Sequence, residues 1–331
     1  MNDRAVSVLS EYEFEVIRTW KGRGAILFET PEGLRILKEY TGPVGRLDKQ
    51  SRLLSAIRSG SGLPVEEILP NKEGVLWTKD QNQDVYIVKT YFEGRECSIR
   101  DMKECHAAAQ ILARLHRVMK LPPQDEDILT GARMDKEYEK HNRELKKIRR
   151  FLREKGQKND FEIFLLKYYD VFMEKAFAVA KRWQEDTMRA EASDKPPLLD
   201  WCHGDYQYHN LLFGERDISV INFEKCICDS QIRDLYLFLR KLLEKNNWSA
   251  FVGDGLLEAY QKEKPITEEE MKQLYYRLAY PEKFWKIVNF YYNSGKAWVP
   301  GRNAEKLEKL LQQEKEKEQF LRELLPRIYS L

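Results

Sequence analysis

The chain has 331 residues, of which 42% are hydrophobic, 12% aromatic and 33% charged. That balance is typical of a folded globular protein and excludes a disordered polypeptide, and the length suffices for two domains or two lobes. With 56 basic and 54 acidic residues the net charge is +2, which gives no electrostatic ground for a nucleic-acid or membrane partner.

Residues 12–39 alternate in the manner of strands. Phe14, Val16 and the Ile17–Thr19 region predict a first strand and Trp20-Lys21-Gly22-Arg23-Gly24 a turn. Ala25–Thr30 predicts a second strand, Pro31-Glu32-Gly33 a tight turn and Leu34–Glu39 a third strand. Gly22 and Gly24 would let the backbone approach a ligand, although a plain hairpin turn explains them equally well. Lys38 ends an apolar strand, where a charge needs a partner; phosphate plus a helix carboxylate would supply one.

A helix is expected over Leu47–Arg58, ending at Gly60 and Gly62. Asp48 is its one acidic residue and is the expected partner of Lys38. Gly74–Thr78 and Val85–Tyr91 then complete a five-stranded sheet. Phe92-Glu93-Gly94-Arg95 reads as a hinge, with backbone groups from Lys89 to Tyr91 placed to meet an adenine edge. Asp101 caps a predicted helix to Met119, in which His116 reads as a satisfied packing histidine.

A loop is expected from Pro122 to Asp127. Residues 135–188 predict two helices broken at Gly156, whose basic cluster Lys146, Lys147, Arg149 and Arg150 reads mainly as a solvated face. Pro196 and Pro197 end this insert.

The stretch His203-Gly204-Asp205-Tyr206-Gln207-Tyr208-His209-Asn210 carries the candidate chemistry. Leu211–Phe213, a turn at Gly214–Asp217 and Ile218–Phe223 make it the mouth of a hairpin, residues 201–223. The spacing H-x-D-x-x-x-x-N is that of a kinase catalytic loop, in which the Asp accepts the proton of the attacking hydroxyl and the Asn holds magnesium. A polar loop that satisfies its own backbone is the alternative. A further helix opens at Arg233-Asp234-Leu235 and runs through Leu243, and more follow at 267–278, 281–293 and 304–325. The aromatic runs Tyr280–Ile287 and Asn289–Trp298 read as packing area or as a docking surface.

The five cysteines, Cys97, Cys105, Cys202, Cys226 and Cys228, are odd in number and form no C-x-x-C pair. Packed thiols in a reducing compartment are expected, with neither zinc nor a disulfide framework. Met1–Ser10 lacks the basic start and apolar run of a signal peptide, and no apolar run reaches the roughly 18 residues of a membrane span.

Lys38, Leu112-Ala113-Arg114-Leu115-His116, the 203–210 string and Asp234-Leu235 together resemble the aminoglycoside phosphotransferase and choline kinase superfamily. Within it the chain resembles the CotS family of spore coat proteins from endospore-forming Firmicutes. The carriers are Glu93–Cys97, Phe161-Glu162, Cys202–Tyr206 with His209-Asn210, Asp234–Lys241, Tyr280–Ile287 and Lys296-Ala297-Trp298.

The resemblance implies a bilobal α+β fold of protein-kinase type. Residues 1–92 would form a small antiparallel sheet lobe and residues 93–331 a large, mainly helical lobe. It further implies ATP and Mg2+ if the chain is active. Asp205 and His203 would be catalytic, and Lys38, Asp48, Gly22, Gly24 and Tyr91 would face the nucleotide. Asn210, Asn222 and Glu224 would stand at the metal. The chain is expected in the mother-cell cytoplasm and then in the spore coat, with other coat proteins and a nucleotide as partners. One position departs from the superfamily: Asn222 stands where an aspartate holds magnesium. That favours a weak or inactive kinase serving the coat as a structural or binding component. The alternative is an active small-molecule kinase with Asp205 as base.

Overall fold

The structure, a computed structural model, describes residues 7–22, 24–120, 130–191, 199–293 and 300–328. Four expected features lie outside these residues: the loop Pro122–Asp127, the Pro196-Pro197 stop, Arg23 of the first turn, and Ser294–Trp298 of the second aromatic run. The chain divides into two compact units. The first comprises Met1–Glu126, Asp200–Ile227 and Glu258–Lys264; the second comprises Asp127–Leu199, Cys228–Leu257 and Pro265–Leu331.

The first unit is built on an antiparallel sheet. Its strands are β1 (Arg18–Gly22), β2 (Ala25–Thr30), β3 (Gly33–Glu39), β4 (Ile68–Leu69), β5 (Thr78–Lys79) and β6 (Val85–Thr90), in the order β1-β2-β3-β6-β4, with β5 also on β6. The sheet therefore has six strands and not the expected five. The expected strand over Gly74–Thr78 shrinks to Thr78–Lys79, because the Asn71 side chain accepts the amides of Glu73 and Val75 and folds that segment into a turn. The first strand begins at Arg18, and Trp20–Gly22 belong to it rather than to the turn. Gly22 pairs with Ala25, and Gly24 takes a left-handed φ of +70°. Val16 and Ile17 stay exposed outside the strand.

Strand alternation sorts the sheet residues onto two faces. Leu37 lies opposite Val88, and both join Val8, Leu9, Tyr12, Ile26, Phe28 and Tyr86 in one apolar core. Lys38 lies opposite Ile87 and Lys89 opposite Ile36, so both lysines project to the other face.

Helix α1 (Leu47–Ser61) follows β3, burying Leu47, Leu53, Leu54 and Ile57 and ending on the left-handed Gly62. Arg95, expected in a hinge, starts the short strand β7 (Arg95–Glu96), which pairs with Leu212 and Phe213. Helix α2 (Met102–Val118) starts as expected: the Asp101 carboxylate accepts the amides of Lys103 and Glu104. His116 is buried and its Nδ1 is 2.7 Å from the Tyr260 hydroxyl, as a packing histidine should be. After the short strand β8 (Asp200–Cys202), the predicted hairpin forms from β9 (Leu211–Phe213) and β10 (Ile218–Val220).

The second unit is helical. Helices α3 (Met134–Glu154) and α4 (Asp160–Glu191) form the expected pair, joined through Arg149–Asp170 and by the Tyr169 hydroxyl donating to the Leu145 carbonyl at 3.0 Å. The aromatic run after residue 280 is mostly packing area. Tyr280 stacks on Tyr138 at 4.1 Å and Phe284 on Phe172 at 4.5 Å, all four buried. Helices α5 (Ile232–Lys245), α6 (Ala250–Gln261), α7 (Glu268–Ala279) and α8 (Glu282–Asn293) precede the C-terminal pair. The single helix expected over 304–325 is two, α9 (Pro300–Gln312) and α10 (Glu314–Ile328), because the chain breaks at Gln313. All five cysteines are buried, and none is in a disulfide. No helix among the described residues is long and apolar enough to cross a membrane.

Candidate functional site

The site lies within the first unit, on the sheet face opposite the apolar core. Lys89 is 1% exposed on the central strand β6, an environment in which an ammonium must be paired. Its Nζ donates to Glu66 Oε2 at 2.7 Å and to Glu224 Oε1 at 2.6 Å. Glu66 is equally buried and also accepts the backbone N–H groups of Asn222 and Phe223, each at 2.9 Å. Lys38 is more open, with its side chain 31% exposed; its Nζ donates to Glu224 Oε1 at 3.0 Å and to Asn222 Oδ1 at 3.2 Å.

The backbone explains why these groups meet. The Val220 amide donates to the Pro64 carbonyl and Val65 bridges Val220 in parallel, which sets Glu66 beside residues 222 and 223. Asn222 then leaves the strand with φ 68° and ψ 54°, a left-handed conformation that asparagine tolerates better than most residues. A short 3-10 turn, Phe223–Lys225, follows. The turn carries the Glu224 carboxylate onto both lysines, with Oε1 3.0 Å from Lys38 Nζ and 2.6 Å from Lys89 Nζ.

Burial pushes the Glu224 carboxyl up, but Lys89 and Lys38 outweigh burial and hold it down to about 2. Lys89 shows the reverse contest. Burial pulls its ammonium down, Glu66 and Glu224 pull it up, and the outcome is above the usual lysine range.

Asp205 stands at the neighbouring loop. Its Oδ2 is 2.8 Å from Lys225 Nζ and its Oδ1 accepts from Gln207 Nε2. Half-burial raises its carboxyl, but Lys225 and Gln207 outweigh that and leave it below the usual carboxylate range. Gly204 takes φ +78°, and a Cβ there would lie 2.0 Å from the Lys225 carbonyl oxygen, so no other residue fits without moving backbone. Asn210 ties the loop to the turn: its Nδ2 donates to the Asp205 carbonyl at 2.7 Å, and its Oδ1 accepts from Asn222 Nδ2 at 2.8 Å.

The structure revises the partner of Lys38 and the part played by His203. Asp48 does not pair with Lys38; it is exposed in the first turn of α1, and the carboxylates at the lysines are Glu66 and Glu224. His203 is 1% exposed and both ring nitrogens are engaged. Its Nδ1 accepts from the Asp205 amide, and its Nε2 therefore carries the proton and donates to the Ile221 carbonyl at 3.0 Å. It shapes the loop and has no nitrogen left for a substrate proton. Gly22, Gly24 and Tyr91 contribute no hydrogen bond to the lysine cluster among the described residues. The Thr90 and Tyr91 amides donate to the Glu67 and Leu34 carbonyls, so neither is available to an adenine edge.

Lys89, Glu66 and Lys225 were not anticipated. Lys89 carries the same sequence signal as Lys38, a lysine at the end of an apolar run, Val85-Tyr86-Ile87-Val88.

The resemblance implies magnesium at Asn210, Asn222 and Glu224, and this donor set does not fit it. Magnesium prefers carboxylate oxygens in near-octahedral order. Here two of the three side chains are neutral amides bonded to each other, and the one carboxylate lies between two ammonium groups.

Comparisons with known proteins agree on the fold. The chain is 22% identical to Spore coat protein S of Bacillus subtilis (strain 168), over 98% of this chain and 94% of that one. An aminoglycoside phosphotransferase from Alicyclobacillus acidocaldarius superposes with a TM-score of 0.83 at 17% identity, covering 98% of this chain and 96% of the other. Spectinomycin phosphotransferase APH(9)-Ia, solved with ADP and spectinomycin, has a TM-score of 0.60 at 15% identity, covering 99% and 98%. Amicoumacin kinase hAmiN, solved with AMP-PNP and Ca2+, has a TM-score of 0.58 at 12% identity, covering 96% and 92%. The fold is aminoglycoside phosphotransferase-like. Residues 7–324 match the family described as Spore coat putative kinase YutH, and the chain belongs to that family.

Proposed function

We propose that this chain is a kinase-fold component of the spore coat that acts by binding other coat proteins and does not transfer phosphate. It is made in the mother-cell cytoplasm and then taken into the coat. The observation that carries this reading is the charge balance at the site. Two lysines face two carboxylates, Lys38 and Lys89 against Glu66 and Glu224, and the sum closes without a divalent cation. Phosphoryl transfer in this fold depends on a metal to neutralise and position the phosphates.

The alternative is ATP-dependent transfer to a small-molecule hydroxyl with Asp205 as base. It draws on an ionised, half-buried Asp205 held in a loop built for one backbone path. A carboxylate below its usual range is a weaker proton acceptor, which favours the binding reading.

The test is a thermal-unfolding titration with ATP, with and without Mg2+, on wild type and Asn222→Asp, alongside transfer of labelled phosphate. Ligand that binds only the native state raises the midpoint with the logarithm of its excess over Kd. The expected result is a magnesium-dependent shift in Asn222→Asp and none in wild type. The reading is overturned if wild type shows that shift and transfers label, and Asp205→Ala abolishes the transfer. Extraction of purified coats, with detection of the chain among the coat proteins, tests its location.

A further inference from the structure

The second unit has a partly open cavity of about 140 Å³ lined from helices α5, α7, α8, α9 and α10, distinct from the lysine–carboxylate site and independent of the function proposed for it. Six cationic side chains line it: Arg240, Lys245, Lys283, Lys306, Lys309 and Lys317. Two carboxylates oppose them, and both are already engaged. Glu244 accepts from Arg240 at 2.6 Å and from Lys283 at 3.3 Å, and Glu282 pairs with Lys286 at 3.1 Å.

Lys317 makes the cavity more than a basic patch. It is only 8% exposed, it lines the cavity, and among the described residues its ammonium has no hydrogen bond and no ion pair. The centroid of the Trp248 ring lies 5.3 Å from its Nζ. Burial pulls this ammonium below the usual lysine range, against the pull of Glu314. Arg240 adds a second signal, because its Nε is buried without a partner. Buried cationic donors lining a cavity are an arrangement that an anion completes. At roughly 30 Å³ per water, the cavity holds about four or five waters, which suits a small oxyanion and excludes a nucleotide.

We propose that this cavity binds a phosphate group, received by Lys317 and Arg240 at its buried end and by Lys309 and Lys245 at its exposed rim. Free inorganic phosphate and a small phosphomonoester present the same chemistry, so both are assayed.

The experiment is thermal unfolding of the full chain in millimolar inorganic phosphate, glycerol phosphate or chloride at matched ionic strength. Wild type is expected to gain a midpoint increase with phosphate that grows with the logarithm of its concentration and exceeds that with chloride. Glycerol phosphate giving the larger shift identifies the ester as the source; equal or smaller shifts identify the free ion. Lys317→Met is expected to lose the shift while unfolding at a higher temperature than wild type without phosphate, since it removes an unpaired buried charge. Lys309→Gln, at the exposed rim, keeps the fold and is expected to weaken phosphate binding about tenfold, the effect of losing one charge-assisted hydrogen bond. The proposal is overturned if phosphate and chloride act alike on wild type, or if Lys317→Met or Lys309→Gln keeps the full phosphate shift. Neither result bears on the ATP titration, which reads the other unit.

Discussion

Glu224→Gln separates charge from shape at the lysine pair. The Glu224 carboxyl titrates at about 2 instead of the ordinary 4.5. At 1.36 kcal/mol per unit, its ionised form is favoured in the fold by about 3 kcal/mol. Glutamine mimics the protonated acid and still offers Lys38 and Lys89 an oxygen, so the expected loss at neutral pH is about 2–3 kcal/mol. A depressed carboxyl contributes stability that is complete above its unfolded value and vanishes as pH falls through its folded one. The difference between wild type and Glu224→Gln should therefore be constant above pH 4.5 and shrink from there toward pH 2. Hydrogen exchange of the β6 amides, followed in peptides covering 85–90, reads this unit by itself. A loss below about 0.5 kcal/mol at pH 7, the range of ordinary surface changes, refutes the reasoning. So does a larger loss that is unchanged at pH 3.

Glu66→Gln should cost more, about 3–5 kcal/mol, because it breaks a buried pair and weakens the acceptor for two backbone amides. Adding Lys89→Met should recover part of that loss in a urea-denaturation double-mutant cycle. Gly204→Ala should destabilise by at least about 3 kcal/mol, since it combines backbone strain with a clash against a carbonyl; a midpoint within a degree of wild type would contradict the geometry. Asp101→Ala should cost about 1 kcal/mol through the lost cap of α2, measured by thermal unfolding.

The features that one or two adjacent residues announce are legible in the sequence. Asp101 opens its helix, Gly62 closes α1, and the turn at Gly214–Asp217 folds its two strands back on each other. What escaped depends on distant residues. Glu66 and Lys89 are 23 positions apart, and Lys89 and Glu224 are 135 apart. The carboxylate sought for Lys38 on the helix after β3 pointed to Asp48, whereas the acid it meets is Glu224, 186 positions along the chain. The two-residue strand Ile68–Leu69 is too short for alternation to register. The break between α9 and α10 falls at Gln313 with no glycine or proline to mark it.

The pairing of Lys89 with Glu224 also orders events during synthesis. Strand β6 leaves the ribosome 135 residues before its second carboxylate. At about 5–20 residues per second, that interval is roughly 7–27 s. Through it the nascent sheet holds two lysines on one face against Glu66 alone, and neither Asn222 nor Phe223 is present to take up that acid's remaining lone pairs. The first unit can gather early but cannot set until the turn at 222–225 arrives, so a chain truncated between the sheet and that turn should be a client for chaperones and not a stable fragment.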